Sequence, residues 1–425
     1  MKYFILVPDG SADDPGSYAE GLTPLAAAHI PSMDGLAKRG EVGLVRTIPD
    51  GVAPGSDAAN LAVMGYDPVS DLTGRAPLEA VSMGIEMSDR DVAFRTNLVT
   101  LYAEDDRDVP YEERVITDHA AGDITTEEAA VLIRYLDENL GSGNPQNEGR
   151  VRFWPGLSYR HALIVQDGSR TPSGIGDVNG ESDGYDLTAP HDILGKKIGA
   201  YLPKGIGSEF LNAFMEKSYT LLKDHPVNLD RKARGLNTAD SIWVWGHGKK
   251  PAIASFRDKF GIEGSVISAV DLIKGIGICA GLSAVSIEGA TGTFDTNYAG
   301  KAAAAIEAFR SGKDFVYLHV EAPDECSHQG NADQKLLAIE RIDNEIMAPI
   351  LAYLNGSADD FRVLIVPDHR TPVALRTHTS EPVPFVIYDS RKESYREENA
   401  FSERAGETGR KFESGKQLAE YFFAK

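Results

Sequence analysis

The sequence predicts an α/β protein: a mostly parallel sheet with helices on both faces, plus an inserted, smaller α+β unit. Three observations carry that reading. The chain opens YFILVPDG, an apolar run ending in Asp-Gly, as a buried strand does when it delivers a carboxylate to its C-terminal edge. In the second half, the apolar runs SIWVWGHG, SVISAV, FVYLHV and VLIVPDH are separated by helical stretches such as YAGKAAAAIEAFRSG and NADQKLLAIERIDNEIMAPILAYL. Strands alternating with helices form a parallel sheet buried on both sides. Between these parts, from about Asp91, the texture changes to two strands, a helix and two more strands, a compact α+β unit.

In chain order, the first strand is followed by TPLAAAHIPSMDGLAKRG, a helical region broken by Pro31. GVAPGSDAANLAVMGYDP then runs from a Pro-Gly turn into a helix, with Ser56 and Asp57 at the junction. Ser56 there is either a helix cap or a nucleophile held at a helix N-terminus. VAFRTNLVTLYA and ERVITDHA read as strands, and TTEEAAVLIRYLDENL as an amphipathic helix capped by Thr125 or Thr126 with acids in its first turn. VRFWPG and YRHALIVQDG are strand-like, and residues 168–196, rich in Gly, Ser, Asp and Pro, form a long loop or hinge. SEFLNAFMEKSYTLLKDH is helical and leads into the second half. The expected organisation is a core from residues 1–91 and 206–425 with an insertion at 92–205. Inserted domains of this kind commonly act as lids.

The formal charge of −21 argues against nucleic acid or an anionic membrane as a partner. It leaves room for a small anion held in a locally positive pocket, particularly beside bound divalent cations. No apolar run approaches the ~20 residues that span a bilayer. Pro8 and Asp9 end the N-terminal apolar run too early for a signal peptide. The two cysteines, Cys279 and Cys326, imply no disulfide framework and favour a reducing cytoplasm.

Three C-terminal segments carry the metal-ligand chemistry. In HVEAPDECSHQG, Asp324 and His328 are four residues apart, which on a helical turn sets both on one face. In VLIVPDHRTP, Asp368 and His369 follow an apolar strand, and in LRTHTSEPVP, His378 precedes two prolines. Each alone is as readily a turn or a solvated face. Together with Asp9 they gather at element ends that converge on one sheet edge, where ligands bind. Mixed carboxylate and imidazole donors suit Mn, Zn, Mg or Fe.

These segments, with TGRAPLEA, SIWVWGHGKKP, SVISAVDLIKGIG and GATGTFDTNY, resemble the 2,3-bisphosphoglycerate-independent phosphoglycerate mutases of the archaeal type, in the alkaline phosphatase superfamily, over nearly the whole chain. The resemblance implies an alkaline-phosphatase-like core with two divalent metal ions (Mn, Zn or Mg) and no need of 2,3-bisphosphoglycerate. One ion would be held by Asp324, His328 and His378, the other by Asp9, Ser56, Asp368 and His369. Ser56 would be the nucleophile, passing a phosphoryl group between the hydroxyls of 3- and 2-phosphoglycerate through a phosphoserine. A small phosphorylated substrate needs cationic partners, for which Arg75, Arg95, Arg160 and Lys274 are candidates, with Lys249 and Lys250 beside them. One segment departs from the archaeal pattern. In ITDHAAGDIT, His119 and Asp123 stand where that type carries arginines, and the segment is closer to a bacterial branch proposed to act as homoserine kinase. The alternative is therefore a homoserine kinase of the same family, although no P-loop is present; a phosphatase results if water reaches the phosphoserine.

Overall fold

A computed structural model of the chain describes residues 1–103, 109–147, 150–166, 185–205 and 207–424. It divides into two compact units, Met1–Leu72 with Ala252–Lys425, and Thr73–Pro251.

The first unit is built on an eight-stranded sheet. Its strand order is Ser283–Val285, Gly264–Ile267, Phe315–Val320, Lys2–Pro8, Phe361–Ile365, Val383–Asp389, Glu41–Val45, Arg410–Phe412. Only Val383–Asp389 runs against its neighbours, so the sheet is mostly parallel, as expected. The central strands are nearly all apolar because helices cover both faces and no side chain faces water: Lys2–Pro8 buries every residue after Lys2. Pro31 opens the helix Pro31–Arg39 rather than merely breaking one, and Met33, Leu36 and Ala37 give it one buried stripe. The long helical stretch NADQKLLAIERIDNEIMAPILAYL forms Ala332–Arg341 and Ala348–Gly356 around a π-turn, Ile342–Met347. Pro349 lies just beyond that turn; lacking an N–H, it disturbs the ladder behind it.

The second unit holds a five-stranded antiparallel sheet. Val92–Tyr102 is its spine, pairing with Val115–Asp118, Arg160–Val165 and Ser241–Lys249, while Val151–Trp154 flanks Arg160–Val165. The helix Thr126–Leu140 starts at Thr125, whose hydroxyl accepts from the Glu128 amide. It packs Leu132, Ile133 and Leu136 into a core shared with Leu211 and Met215 of the helix Ser208–Leu222. The unit therefore extends beyond the expected insertion 92–205 on both sides. SIWVWGHG is not a core-sheet strand: as Ser241–Lys249 it lies antiparallel along Val92–Tyr102, and Ile242, Trp243 and Val244 join the second unit's core. Periodicity marks a strand as buried without saying which sheet buries it. Residues 168–184 of the expected loop lie outside the described residues.

Candidate metal and phosphoryl-transfer site

The sheet register brings the ligand candidates together. Lys2–Pro8 lies between Phe315–Val320 and Phe361–Ile365, all three parallel, with Pro8 beside Val320 and Leu6 beside Ile365. Whatever follows these strands emerges at one edge. Asp9 follows the first, the helix Ala322–His328 the second, and Asp368-His369 the third. Gly10 completes the approach: at φ +61°, a Cβ there would sit 2.6 Å from both Asp324 Oδ1 and Thr371 Oγ1, so only glycine fits.

Two sets of donors result. Asp324, His369 and His378 each offer an atom within 4.8 Å of the others, as do Asp9, Asp368 and His369. His328 Nε2 joins the first set at 3.1 Å from Asp324 Oδ2 and 3.0 Å from His378 Nε2. Ser56 Oγ joins the second at 3.1 Å from His369 Nε2. All seven expected residues thus face one another, although 369 positions separate Asp9 from His378.

Hydrogen bonds fix which imidazole nitrogens are free. Thr371 Oγ1 donates to Asp324 Oδ1 at 2.5 Å, and its one proton is then spent. His369 Nδ1, 3.1 Å from the same oxygen, must donate to it, so Nε2 keeps its lone pair toward Ser56. His328 Nδ1 donates to the Arg376 carbonyl at 2.9 Å, which turns Nε2 toward Asp324 and His378. Asp368 Oδ1 accepts from the amides of Gly10 and His369, and Oδ2 from Asn60. Asn60 also donates to the Ser56 carbonyl and accepts from the Tyr317 hydroxyl.

The electrostatics are those of a crowded anionic site. Burial raises the Asp9 carboxyl well above its ordinary range, and the charges of Asp368 and Asp324 add to the rise. Asp9 Oδ1 is buried without a hydrogen-bond partner. His319 Nε2 is 3.0 Å from Asp9 Oδ2 but is also without a hydrogen bond of proper geometry. The hydrogen bond to Asp324 pushes His328 up to about 9. A buried carboxylate oxygen without a partner, imidazole nitrogens turned toward common points and carboxylates packed together fit divalent cations: a cation would satisfy the orphan, offset the like charges and take the place of the His328 proton.

Ser56 is the first residue of the helix Ser56–Val63, with Gly55 at the capping position. Glycine, with no side chain, fills the capping position, and the Ser56 hydroxyl lies 3.1 Å from His369 Nε2. Of the two readings of the Ser-Asp junction, the cap is not the one observed.

The cationic candidates divide. Arg95 pairs with Glu79 at 3.0 Å and lies 3.8 Å over the Trp245 ring. Burial lowers its pKa and Glu79 opposes this, while Arg75 and Arg160 lie close enough to lower it further. These three guanidinium groups therefore cluster within the second unit. Lys274, in the first unit, is committed to Asp271 at 2.7 Å. His119 sits edge-on to Tyr159 and His191, and Asp123 has left-handed backbone at φ +49°. A cavity of about 630 Å³ opens at the opposite, N-terminal edge of the large sheet, but its Arg362 and Arg410 are already paired with Asp389 and Glu41.

Sequence reasoning missed His319, Asn60, Tyr317 and Thr371. Asn60 had a usable signal, four residues after Ser56 and hence on the same helix face. His319 and Tyr317 read only as strand residues.

Comparison with known proteins identifies the family. Residues 37–228 match the model of the 2,3-bisphosphoglycerate-independent phosphoglycerate mutase family. A protein of that name from Methanosarcina barkeri is 46% identical over 96% of both chains. A probable 2,3-bisphosphoglycerate-independent phosphoglycerate mutase from Geobacter sulfurreducens is 46% identical over 98% of this chain and 95% of its own. Among solved structures, the cofactor-independent phosphoglycerate mutase from Thermoplasma acidophilum superposes with a TM-score of 0.65 at 25% identity, covering 99% of each chain. The kinase alternative drawn from ITDHAAGDIT finds no support, since relatives matching across that segment carry the mutase name. The chain belongs to the 2,3-bisphosphoglycerate-independent phosphoglycerate mutases.

Proposed function

We propose that the protein interconverts 3-phosphoglycerate and 2-phosphoglycerate by two phosphoryl transfers through Ser56, without a bisphosphoglycerate cofactor. The observation that carries this is the Ser56 hydroxyl at a helix N-terminus, 3.1 Å from His369 Nε2 and among two converging carboxylate–imidazole sets. One divalent ion (Mn, Zn or Mg) would be held by Asp324, His328 and His378, and a second by Asp9, Ser56, Asp368 and His369. When bound, the ions supply a lowered hydroxyl pKa and positive charge against the transferring phosphoryl group.

The chain's own groups do the rest. Gly55 sets the helix start, and Asn60 ties the Ser56 carbonyl to Asp368 at 2.8 Å each way, so Oγ is held in place. The positive end of the helix dipole at the start of Ser56–Val63 favours the phosphoryl oxygens. In the first transfer the serine gives up its proton and bonds to phosphorus while the bond from phosphorus to the glycerate oxygen breaks. That oxygen takes up a proton. In the second transfer the other glycerate hydroxyl attacks, and Ser56 regains its proton. Arg75, Arg95 and Arg160 are the candidate cations for the substrate's phosphate and carboxylate, and the reaction stays a mutase only where water is kept from the phosphoserine. Two free cysteines suit a cytoplasmic setting, and no described helix is long and apolar enough to cross a membrane.

The test is Ser56→Ala, assayed by phosphorus NMR with 3-phosphoglycerate and Mn²⁺. The variant is expected to keep its fold and its Mn²⁺ binding and to form no 2-phosphoglycerate. Near-normal turnover would overturn the assignment.

A further inference from the structure

Beneath the site lies a charge that the phosphoryl-transfer scheme does not use. Lys335, on the helix Ala332–Arg341, is a fully buried lysine. Its ammonium makes three hydrogen bonds, to Asp13 Oδ2 at 2.7 Å, the Thr371 carbonyl at 3.0 Å and the Ala12 carbonyl at 3.2 Å. That is the full complement an ammonium can donate. The acceptors belong to two loops, one following the strand that ends at Pro8 and the other following Asp368-His369.

Those loops are zipped together. Ser11 and Ala12 bridge to Arg370, and the Thr371 amide donates to the Ala12 carbonyl. Asp13 Oδ2 accepts the Val373 amide, and the Asp13 amide donates to Glu403, whose other oxygen takes the Thr23 hydroxyl. Thr371, whose carbonyl Lys335 grips, is also the residue whose hydroxyl sets the orientation of Asp324 and His369. Asp9 lies four residues before Asp13.

We propose that Lys335 is a positioning residue for the metal centre: it pins the two loops that carry Asp9 and Asp368-His369, and so sets the spacing of their ligand atoms. The inference rests on the two-metal reading. The pairing with Asp13 alone does not argue for a stabilising role, because a buried ion pair replaced by apolar side chains of similar volume is often neutral or stabilising. What an apolar pair cannot replace are the two hydrogen bonds to the Ala12 and Thr371 carbonyls. Ligand-orienting groups of this kind typically change metal affinity 10- to 100-fold when lost.

The double variant Lys335→Met/Asp13→Leu separates the two roles. Mn²⁺ binding to the metal-stripped full-length chain is measured by equilibrium dialysis, beside unfolding of the metal-free protein and steady-state kinetics at saturating Mn²⁺. The expected result is a folded variant whose unfolding midpoint falls because the Thr371 carbonyl and the Val373 and Asp14 amides lose their partners, with a Mn²⁺ Kd raised at least about tenfold and a lowered kcat at a KM for 3-phosphoglycerate within about threefold. A folded variant with Mn²⁺ Kd within about threefold of wild type and unchanged kcat overturns the proposal. Asp13→Asn, which keeps the side-chain volume, carries the same test if the double variant does not fold. Wild-type chain that bound no Mn²⁺ would instead sink the two-metal reading.

Discussion

Tyr317, Asn60, Asp368 and the Ser56 carbonyl form a closed polar network, and its energetics can be worked through. The Tyr317 hydroxyl donates to Asn60 Oδ1 at 2.6 Å, and the two Asn60 N–H groups go to Ser56 and Asp368 at 2.8 Å each. Tyr317, Asn60 and Asp368 have no exposed surface. Burial, with the charges of Asp368 and Asp9 behind it, holds the Tyr317 hydroxyl protonated far above its ordinary range, so it remains a donor. Tyr317→Phe leaves Asn60 Oδ1 without a donor in a dry site, a cost of about 1–3 kcal/mol. Asn60→Leu strands the tyrosine hydroxyl and removes a donor from a buried carboxylate, each costing about 1–3 kcal/mol. The double variant has no stranded hydroxyl, so its cost should fall short of the sum by about 1–2 kcal/mol. Urea unfolding of all four metal-stripped proteins measures the cycle. Costs that add within about 0.5 kcal/mol would refute the claim that these groups act as one unit.

Chelation should abolish turnover and lower the thermal midpoint, with Mn²⁺ restoring both; full activity in verified metal-free protein would reject a metal role. Arg160→Ala is expected to raise KM for 3-phosphoglycerate at least about tenfold with less effect on kcat, as loss of a substrate-binding cation does. Burial lowers the His161 pKa to about 3, so the folded protein resists a proton that the unfolded chain takes up near pH 6.5. That stability is whole above about pH 6.5 and drains as pH falls toward 3, a loss of about 2 kcal/mol by pH 5. His161→Gln should flatten this part of the pH profile in urea unfolding, and an unchanged slope would show that another group is responsible.

What could be read from the sequence follows from where the information is local. The strand Lys2–Pro8 and the helix Thr126–Leu140 were legible because an apolar run, a capping threonine and a 3.6-residue period are each contained within a few residues. The ligand set was legible as residue types at element ends. Its convergence was not, since that depends on a strand order placing Lys2–Pro8 between two strands more than 300 positions away. Val383–Asp389 and Glu41–Val45 went unread because Pro384 and Gly43 interrupt their apolar runs. Ser241–Lys249 was read as a strand and given to the wrong sheet, as nothing in its own residues distinguishes partners. Lys335 and Asp13 looked like ordinary charges on a helix and a loop; only burial makes them a pair.

The most direct test of the central claim is acid quench of the Mn²⁺-loaded enzyme during turnover of 3-phosphoglycerate, followed by peptide mass spectrometry. Phosphate is expected on Ser56, in a fraction that disappears in Ser56→Ala. Phosphate on another residue, or on none while turnover proceeds, would contradict transfer through this hydroxyl.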